Sequence, residues 1–319
     1  MDLANGLEVA DPIRVFVKQE PLKRSKYDER RWRIISAVSL EDTMVDRILF
    51  TRFQKKFLAA ATTIPSMVGL NPLFGGYRLF SAVFGKGPYV CEDKSSWDWT
   101  VTEPLIRAAL RLILRLADGA EHFWVSAVIK RWEMLFRKAT FKFHPTSEEC
   151  HQPSWGIVKS GCYLTIVLNT LLQLILHAFV NEDLDLSIDE SMPFALGDDT
   201  LRKKHPKERD YVRRIGDLGV KLKTDIRTVA EFAGFEFDQH SVRPVYNAKH
   251  AFKLVTCPDH NLSEILGMYQ ILYAFDAEFY DWIHAVGYAR GCEQALRSRR
   301  LALAIARGSI SPQVWSTRF

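Results

Sequence analysis

Apolar and polar positions first organise the chain into short strands and longer helices. Ile13–Lys18 (IRVFVK) and Arg33–Ala37 (RIISA) read as short strands, with a charged loop between them. Ser39 with Asp42 three residues later resembles a helix-start box, and the apolar pattern from Leu40 to Ala61 continues it as a helix. Pro65–Pro88 is rich in Gly and Pro and predicts loops and short turns. Tyr89–Asp93 predicts a strand that ends on a carboxylate, and Pro104–Ala117 and His122–Lys138 predict amphipathic helices. Cys150–Lys159 is a loop with Pro153 and Gly156, and it leads into the apolar run Tyr163–Val180. Met192–Thr200 (MPFALGDDT) predicts strand, tight turn, strand; Pro206–Leu218 predicts a helix; Lys221–Thr224 and Glu231–Phe237 predict short strands. From His240 onward the pattern predicts one strand and two helical stretches, Ser263–Phe275 and Glu278–Ala306. Strands interleaved with helices in the middle and helices at the end predict an α+β fold. The blocks fall at 1–88, 89–239 and 240–319.

The run Tyr163–Val180 (YLTIVLNTLLQLILHAFV) is about as long as a short membrane span. Asn169, Gln173 and His177 recur every four residues along it and so share one helical face. A lipid-facing helix would not carry three polar groups in that row without partners. The run predicts a buried helix with one functional face, and no transmembrane segment is expected in the chain.

Composition adds little until its distribution is considered. The 319 residues are 47% hydrophobic and 25% charged, which suffices for a packed core and excludes a disordered or fibrous chain. The net charge of +5 is shared by many unrelated proteins and is compatible with nucleic acid as a partner. The basic residues cluster: eight Lys/Arg against three acids in Arg14–Arg33, and ten against seven in Asp198–Glu231. The five cysteines (Cys91, Cys150, Cys162, Cys257, Cys292) are scattered, with no CxxC pair and no zinc-finger spacing, which suggests free thiols in a reducing compartment. The N-terminus has no apolar signal-peptide core. No His cluster has metal-ligand spacing, and G-x-S-x-G is absent around Ser160.

The candidate chemistry lies in the carboxylates. Asp93 and Asp98 sit in D-K-S-S-W-D, and Asp198 and Asp199 follow Gly197 at the tight turn. Gly-Asp-Asp is a good turn sequence anywhere, and taken alone a solvated turn explains it. A hairpin tip with adjacent Asp residues beside a strand ending in Asp93 would nevertheless concentrate like charge, which a divalent cation relieves. Two metals about 4 Å apart could serve the attacking and leaving oxygens of a phosphoryl transfer.

The order of these elements resembles the palm of positive-strand RNA virus RNA-dependent RNA polymerases, in particular the sobemovirus, polerovirus and barnavirus group. Val17-Lys18-Gln19-Glu20-Pro21, followed by Arg33-Ile34-Ile35-Ser36, is similar to motif F. Asp93-Lys94-Ser95-Ser96-Trp97-Asp98-Trp99 is similar to motif A, and Lys159-Ser160-Gly161-Cys162-Tyr163-Leu164-Thr165 with Asn169 to motif B. Gly197-Asp198-Asp199 is similar to motif C, Gly219-Val220-Lys221-Leu222-Lys223 to motif D, and Gly234-Phe235-Glu236-Phe237 loosely to motif E. The likeness covers about residues 11 to 255. It departs from the family in three ways: only about a dozen residues precede motif F, only about 80 follow motif E, and Ala233-Gly234-Phe235 stands where relatives often have a Cys-Ser pair.

The resemblance implies a right-hand polymerase: an antiparallel-sheet palm at 89–239 with a fingers insertion at about 104–155, partial fingers at 1–88, and the end of the palm with a short helical thumb at 240–319. It implies an RNA-directed RNA polymerase that replicates a viral genome, with a catalytically silent RNA-binding fragment as the alternative. Asp93 and Asp198 would hold two Mg²⁺ or Mn²⁺ ions, with Asp199 auxiliary. Asp98, Ser160 and Asn169 would read the ribose, because a 2′-hydroxyl both donates and accepts, with Thr165 orienting the same network and Gly161 also at the nucleotide. Asn169 could instead make a helix–helix hydrogen bond, and Thr165 could bond back to its own helix. Lys18 and Arg33 would face the triphosphate, with Glu20 holding the basic loop. Lys23, Lys26 and Lys159 would follow RNA, or in the loop simply be solvated. Lys223 would protonate pyrophosphate, with Lys221 as rival on the same strand face. Trp99 could be packing alone. Expected partners are the template and nascent RNA, NTPs and other viral replication proteins, in membrane-associated replication complexes of the host cytoplasm.

Overall fold

The computed structural model describes residues 10–22, 24–61 and 63–316. Strands β1 (Ile13–Val17) and β2 (Ile34–Ala37) flank a short helix α1 (Arg24–Asp28) and precede helix α2 (Leu40–Ala59) and α3 (Tyr77–Phe84). Strand β3 (Tyr89–Lys94) is followed by a single helical turn α4 (Trp97–Thr100), helices α5 (Glu103–Leu116) and α6 (His122–Phe136), strands β4 (Thr140–Phe143) and β5 (Glu149–His151), and helix α7 (Thr165–Asp183). The hairpin β6 (Phe194–Leu196) and β7 (Asp199–Lys203) leads to α8 (Glu208–Asp217), β8 (Leu222–Arg227), β9 (Ala230–Phe232), β10 (Phe235–Phe237) and β11 (Val242–Pro244). Four helices close the chain: α9 (Asn247–Val255), α10 (Asp259–Leu272), α11 (Ala277–Ala289) and α12 (Arg299–Ala306).

These elements form two compact units, 1–69 with 92–225, and 70–91 with 226–319. In the first unit α7 is the core helix. Val167, Leu168, Leu171, Leu172, Leu176 and Val180 are buried among α2, α5 and α6. Burying such aliphatic side chains is worth about 1.5–3 kcal/mol each, so this helix is the main hydrophobic anchor of the unit. By length and composition α7 could cross a membrane, yet 61% of its apolar window is buried inside the protein. Ser39 caps α2 through Asp42 N–H at 3.2 Å, as the sequence suggests. Arg131 on α6 then ties down α2, bonding Asp46 at 2.6 Å and Asp42 at 3.1 Å.

Two sheets matter for the site. In the order β2-β1-β4-β5, β1 pairs antiparallel with β2 (Val17↔Ile34) and parallel with β4 (Ile13↔Phe141). In the order β6-β7-β3-β8, the hairpin strand β7 lies beside β3. The antiparallel register Leu196↔Asp199 leaves Gly197 and Asp198 as the two-residue turn. Gly197 has φ +65°, the positive region that two-residue hairpin turns require.

The second unit holds the antiparallel sheet β11-β10-β9 and the C-terminal helices. The Pro65–Pro88 stretch, expected to be loops, contains the amphipathic helix α3. Phe80 stacks on Phe237 at 4.9 Å and Phe84 packs edge-on to Phe232 at 5.6 Å. These aromatic contacts outweigh the breakers on either side of α3. The predicted helix Glu278–Ala306 is interrupted: Gly291 at φ +65° follows the end of α11, and Ser298 caps α12 as a separate helix.

Candidate active site

Alternation along β3 sorts its side chains by face. Val90, Glu92 and Lys94 are buried, and Asp93, between them, is exposed. On neighbouring β7 and its turn, Asp198 and Asp199 are also exposed. The hairpin tip is fixed from below: Gly197 N–H donates to the buried Thr170 hydroxyl of α7 at 2.8 Å. A Cβ at Gly197 would stand 3.0 Å from Ile166 Cδ1, so glycine also permits the close approach. Among the described residues no three His, Cys, Asp or Glu side chains already form a metal cluster. Carboxylates on two adjacent strands nonetheless suit Mg²⁺, which takes one or two of them and completes its shell with phosphate oxygens and water.

A second group lies beside the first. Asn169, buried on α7, donates from Nδ2 to Asp98 Oδ1 at 3.0 Å. Burial raises the Asp98 pKa; the Asn169 bond opposes this, the charge of Asp198 adds to it, and Arg33 opposes it, leaving the carboxyl above its ordinary range. Asp98, Asn169, Asp198 and Arg33 therefore share one electrostatic neighbourhood. The carboxyl of Glu20 accepts salt bridges from both Lys18 and Arg33 at 3.3 Å.

The loop before α7 is pinned to β2. Gly161 N–H donates to Ser36 C=O at 3.0 Å, and the Ser160 hydroxyl accepts from Ser36 N–H at 3.0 Å. A Cβ at Gly161 would sit 2.7 Å from the Ser36 carbonyl oxygen, so the strand can approach only a glycine. Thr165 donates to the carbonyls of Lys159 and Cys162, both at 2.7 Å.

Lys159, expected at RNA, is instead fully buried. Its ammonium donates to Gln152 Oε1 and to Ile157 C=O and lies over the Phe136 and Phe141 rings. Burial brings its pKa down to about 7. This geometry clamps the loop and leaves no ammonium at the surface for a phosphate. Lys26 is exposed on α1, and Lys23 lies outside the described residues. Lys221 and Lys223 are both exposed; Lys221 also accepts from Ser95 N–H through its carbonyl at 3.0 Å, which ties the start of β8 to the turn after β3. The polar row on α7 extends one step beyond the sequence reading. His177 bonds Tyr211 at 2.8 Å and Asn181 bonds His205 at 2.9 Å.

Sequence reasoning missed the support behind the carboxylates. Glu92 accepts from Lys94 at 3.2 Å, Thr200 at 2.7 Å and Arg202 at 2.7 Å, and Arg202 continues to Glu208 at 2.7 Å. Burial alone would raise the Glu92 pKa, but Lys94, Arg202 and Thr200 bring it down to about 2. The spacing of Glu92, Asp93 and Lys94 on one strand was the available signal, since alternate residues must share the opposite face. Trp97 was also missed. It is 2% exposed, against 44% for Trp99, and its Nε1–H donates to Asn169 Oδ1 at 3.0 Å.

This arrangement of carboxylates, amide and basic strand coincides with a family match. The model of the viral RNA-dependent RNA polymerase family matches residues 5–226, and the chain belongs to this family. It is 28% identical over 74% of its length to the replicase polyprotein P2AB of Southern bean mosaic virus, covering 24% of that protein. It is 27% identical over 79% of its length to protein P1-P2 of Turnip yellows virus, covering 24% of it. It is 29% identical over 54% of its length to the RNA-directed RNA polymerase of Mushroom bacilliform virus, covering 41% of it. The chain thus spans about a quarter of the length of the first two relatives. All three belong to the sobemovirus, polerovirus and barnavirus group that the motifs resemble.

Proposed function

We propose that this chain carries the nucleotidyl-transfer site of an RNA-directed RNA polymerase that copies a viral RNA genome. The observation that carries the reading is the adjacency of Asp93 and the Asp198–Asp199 turn on neighbouring strands, beside the Asp98–Asn169 pair. The 3′-hydroxyl of the growing RNA attacks the α-phosphate of a nucleoside triphosphate; the new P–O bond forms as the bond to pyrophosphate breaks, and the hydroxyl proton leaves to solvent. Asp93 and Asp198, with Asp199 auxiliary, would hold two Mg²⁺ or Mn²⁺ ions, which when bound neutralise the phosphate charge.

The chain's own residues do the rest. Asp98 has one oxygen left to accept from a 2′-hydroxyl, and Asn169 has one Nδ2 hydrogen left to donate to it. Ser160, Gly161 and Thr165 pin the loop that leads into α7, the helix that carries Asn169. Lys18 and Arg33, exchanging Glu20 for phosphate, would bind the triphosphate, and Lys223 or Lys221 would protonate the leaving pyrophosphate. Lys26 would follow the RNA backbone. In right-hand terms, β3 and the β6–β7 hairpin would form the palm, the N-terminal strands part of the fingers, and the C-terminal helices a short thumb. Membrane-associated replication complexes of the host cytoplasm, with other replication proteins, are the setting this reading favours.

Primer extension on an RNA template tests it. The purified chain with Mg²⁺ should add ribonucleotides to the primer. Binding of RNA without extension would support a silent RNA-binding fragment instead.

A further inference from the structure

The hydrogen bond from Trp97 has a direction, and that direction constrains the sugar-facing groups. An indole N–H can only donate. Asn169 therefore turns its carbonyl Oδ1 to Trp97, at 3.0 Å, and its amino Nδ2 to Asp98, also at 3.0 Å. A side-chain amide has two nearly isosteric orientations, and its neighbours decide between them. Asp98 engages the Nδ2 end of the amide, and Trp97 engages the Oδ1 end. Trp97 removes this ambiguity, because a reversed amide would set two donors, Nδ2–H and the indole N–H, against each other.

Local structure supports the bond. Ser96 takes a left-handed conformation, φ +57°, at the end of the β3 turn. Trp97 then opens the single turn α4, belongs to the same hydrophobic core as Val101, Leu105 and Leu168, and is 2% exposed. Asn169 is 5% exposed. In such surroundings a mismatched donor pair is costly, so the bond acts as a switch fixed in one position.

We infer that Trp97 is a positioning residue for sugar selection: its indole N–H locks the Asn169 amide so that Asn169 and Asp98 together present one donor and one acceptor to the 2′-hydroxyl of a ribonucleoside triphosphate. This rests on the polymerase reading above. Deoxyribonucleotides lack the group that both residues address, and are rejected because the part-buried pair is then left unsatisfied.

The test is Trp97→Phe, which keeps an aromatic ring and removes the N–H, alone and combined with Asn169→Ala. Discrimination is read as kcat/KM for an NTP over kcat/KM for its dNTP in primer extension. Trp97→Phe should lower the ratio by up to about tenfold, the size of one hydrogen bond, through a higher KM for the NTP with the dNTP little changed. In the Asn169→Ala background the same change should leave the ratio where Asn169→Ala alone puts it. A purely structural Trp97 would lower both substrates alike, and an undiminished ratio in Trp97→Phe overturns the inference. If Trp97→Phe fails to fold, benzothienylalanine at position 97, which keeps the two-ring shape without the N–H, gives the same reading. A wild-type chain that extends no primer overturns the polymerase reading itself, so the two failures are separable in one experiment.

Discussion

Glu92 and Asp93 are neighbours on one strand, and their side chains meet opposite worlds. Glu92 points into the protein and is held by Lys94, Thr200 and Arg202, which bring its pKa down to about 2. Asp93 points out and is exposed. The buried carboxylate cannot serve a cation, because its oxygens are taken by three donors from two strands. The exposed one has an outward position beside two more carboxylates on β7 and its turn. One face of the strand thus fixes register between β3 and β7 while the other presents charge. A carboxylate's role here follows from its face, and residue type alone does not reveal it.

Removing Glu92 or Asp93 one at a time separates the two faces of β3. Glu92→Ala should destabilise the protein by about 3–5 kcal/mol, because Arg202 and Lys94 then lose a partner in a buried setting. Asp93→Asn should change stability by no more than about 0.5 kcal/mol, as an exposed substitution does. If Asp93 holds a metal ion as proposed, the substitution should at the same time cut primer extension by at least about 100-fold, because loss of groups that merely support a metal ligand already costs about 10–100-fold. Urea melts and extension rates on both variants check this; equal destabilisation by the two would remove the distinction between the faces.

Acid should expose the buried network next. His177 has an ordinary pKa of 6.5, and burial brings it to about 4 in the folded protein. The unfolded chain therefore takes up a proton that the folded one refuses, and stability falls as pH drops from about 6.5 to 4. Glu92 runs in series: unfolded, it protonates near 4.5, folded only near 2, so its contribution is complete above 4.5 and lost as pH falls toward 2. Thermal melts from pH 7 to pH 3 should show a monotonic loss, and His177→Asn should flatten the portion above pH 4.5.

Smaller effects sharpen the picture at the hairpin. Thr170→Val removes the acceptor of Gly197 N–H and should cost about 1–3 kcal/mol, with a few-fold loss of extension as the Asp198 turn loosens. Lys26→Gln should be weakest, lowering the salt dependence of RNA binding by about 0.7 in slope if that side chain meets a phosphate. A filter-binding salt titration measures it.

How much of this was readable beforehand follows range in the chain. The strand at Tyr89, the hairpin around Gly197 and the helix through Asn169 each announce themselves within a few residues, through alternation, turn chemistry or apolar run. The cap of Ser39 on Asp42 is equally local. What escaped depends on distant partners. Strand β4 forms because Phe141 pairs in parallel with Ile13, and α3 forms because Phe80 and Phe84 find Phe232 and Phe237. Lys159 looked like a surface cation until Gln152 and two aromatic rings enclosed it. The resemblance to a known palm supplied the order of the site residues, and local patterns alone could not have joined Asp98 to Asn169 across 71 positions.

Single-turnover primer extension by the wild-type chain and by Asp198→Asn, with Mg²⁺ and matched folding checked by melting, tests the proposed carboxylate site at the Asp198 turn. The wild type should add ribonucleotides, and the variant should lose at least about 100-fold with its melting temperature unchanged. Extension by Asp198→Asn at the wild-type rate would contradict the assignment of this turn as the catalytic carboxylate site.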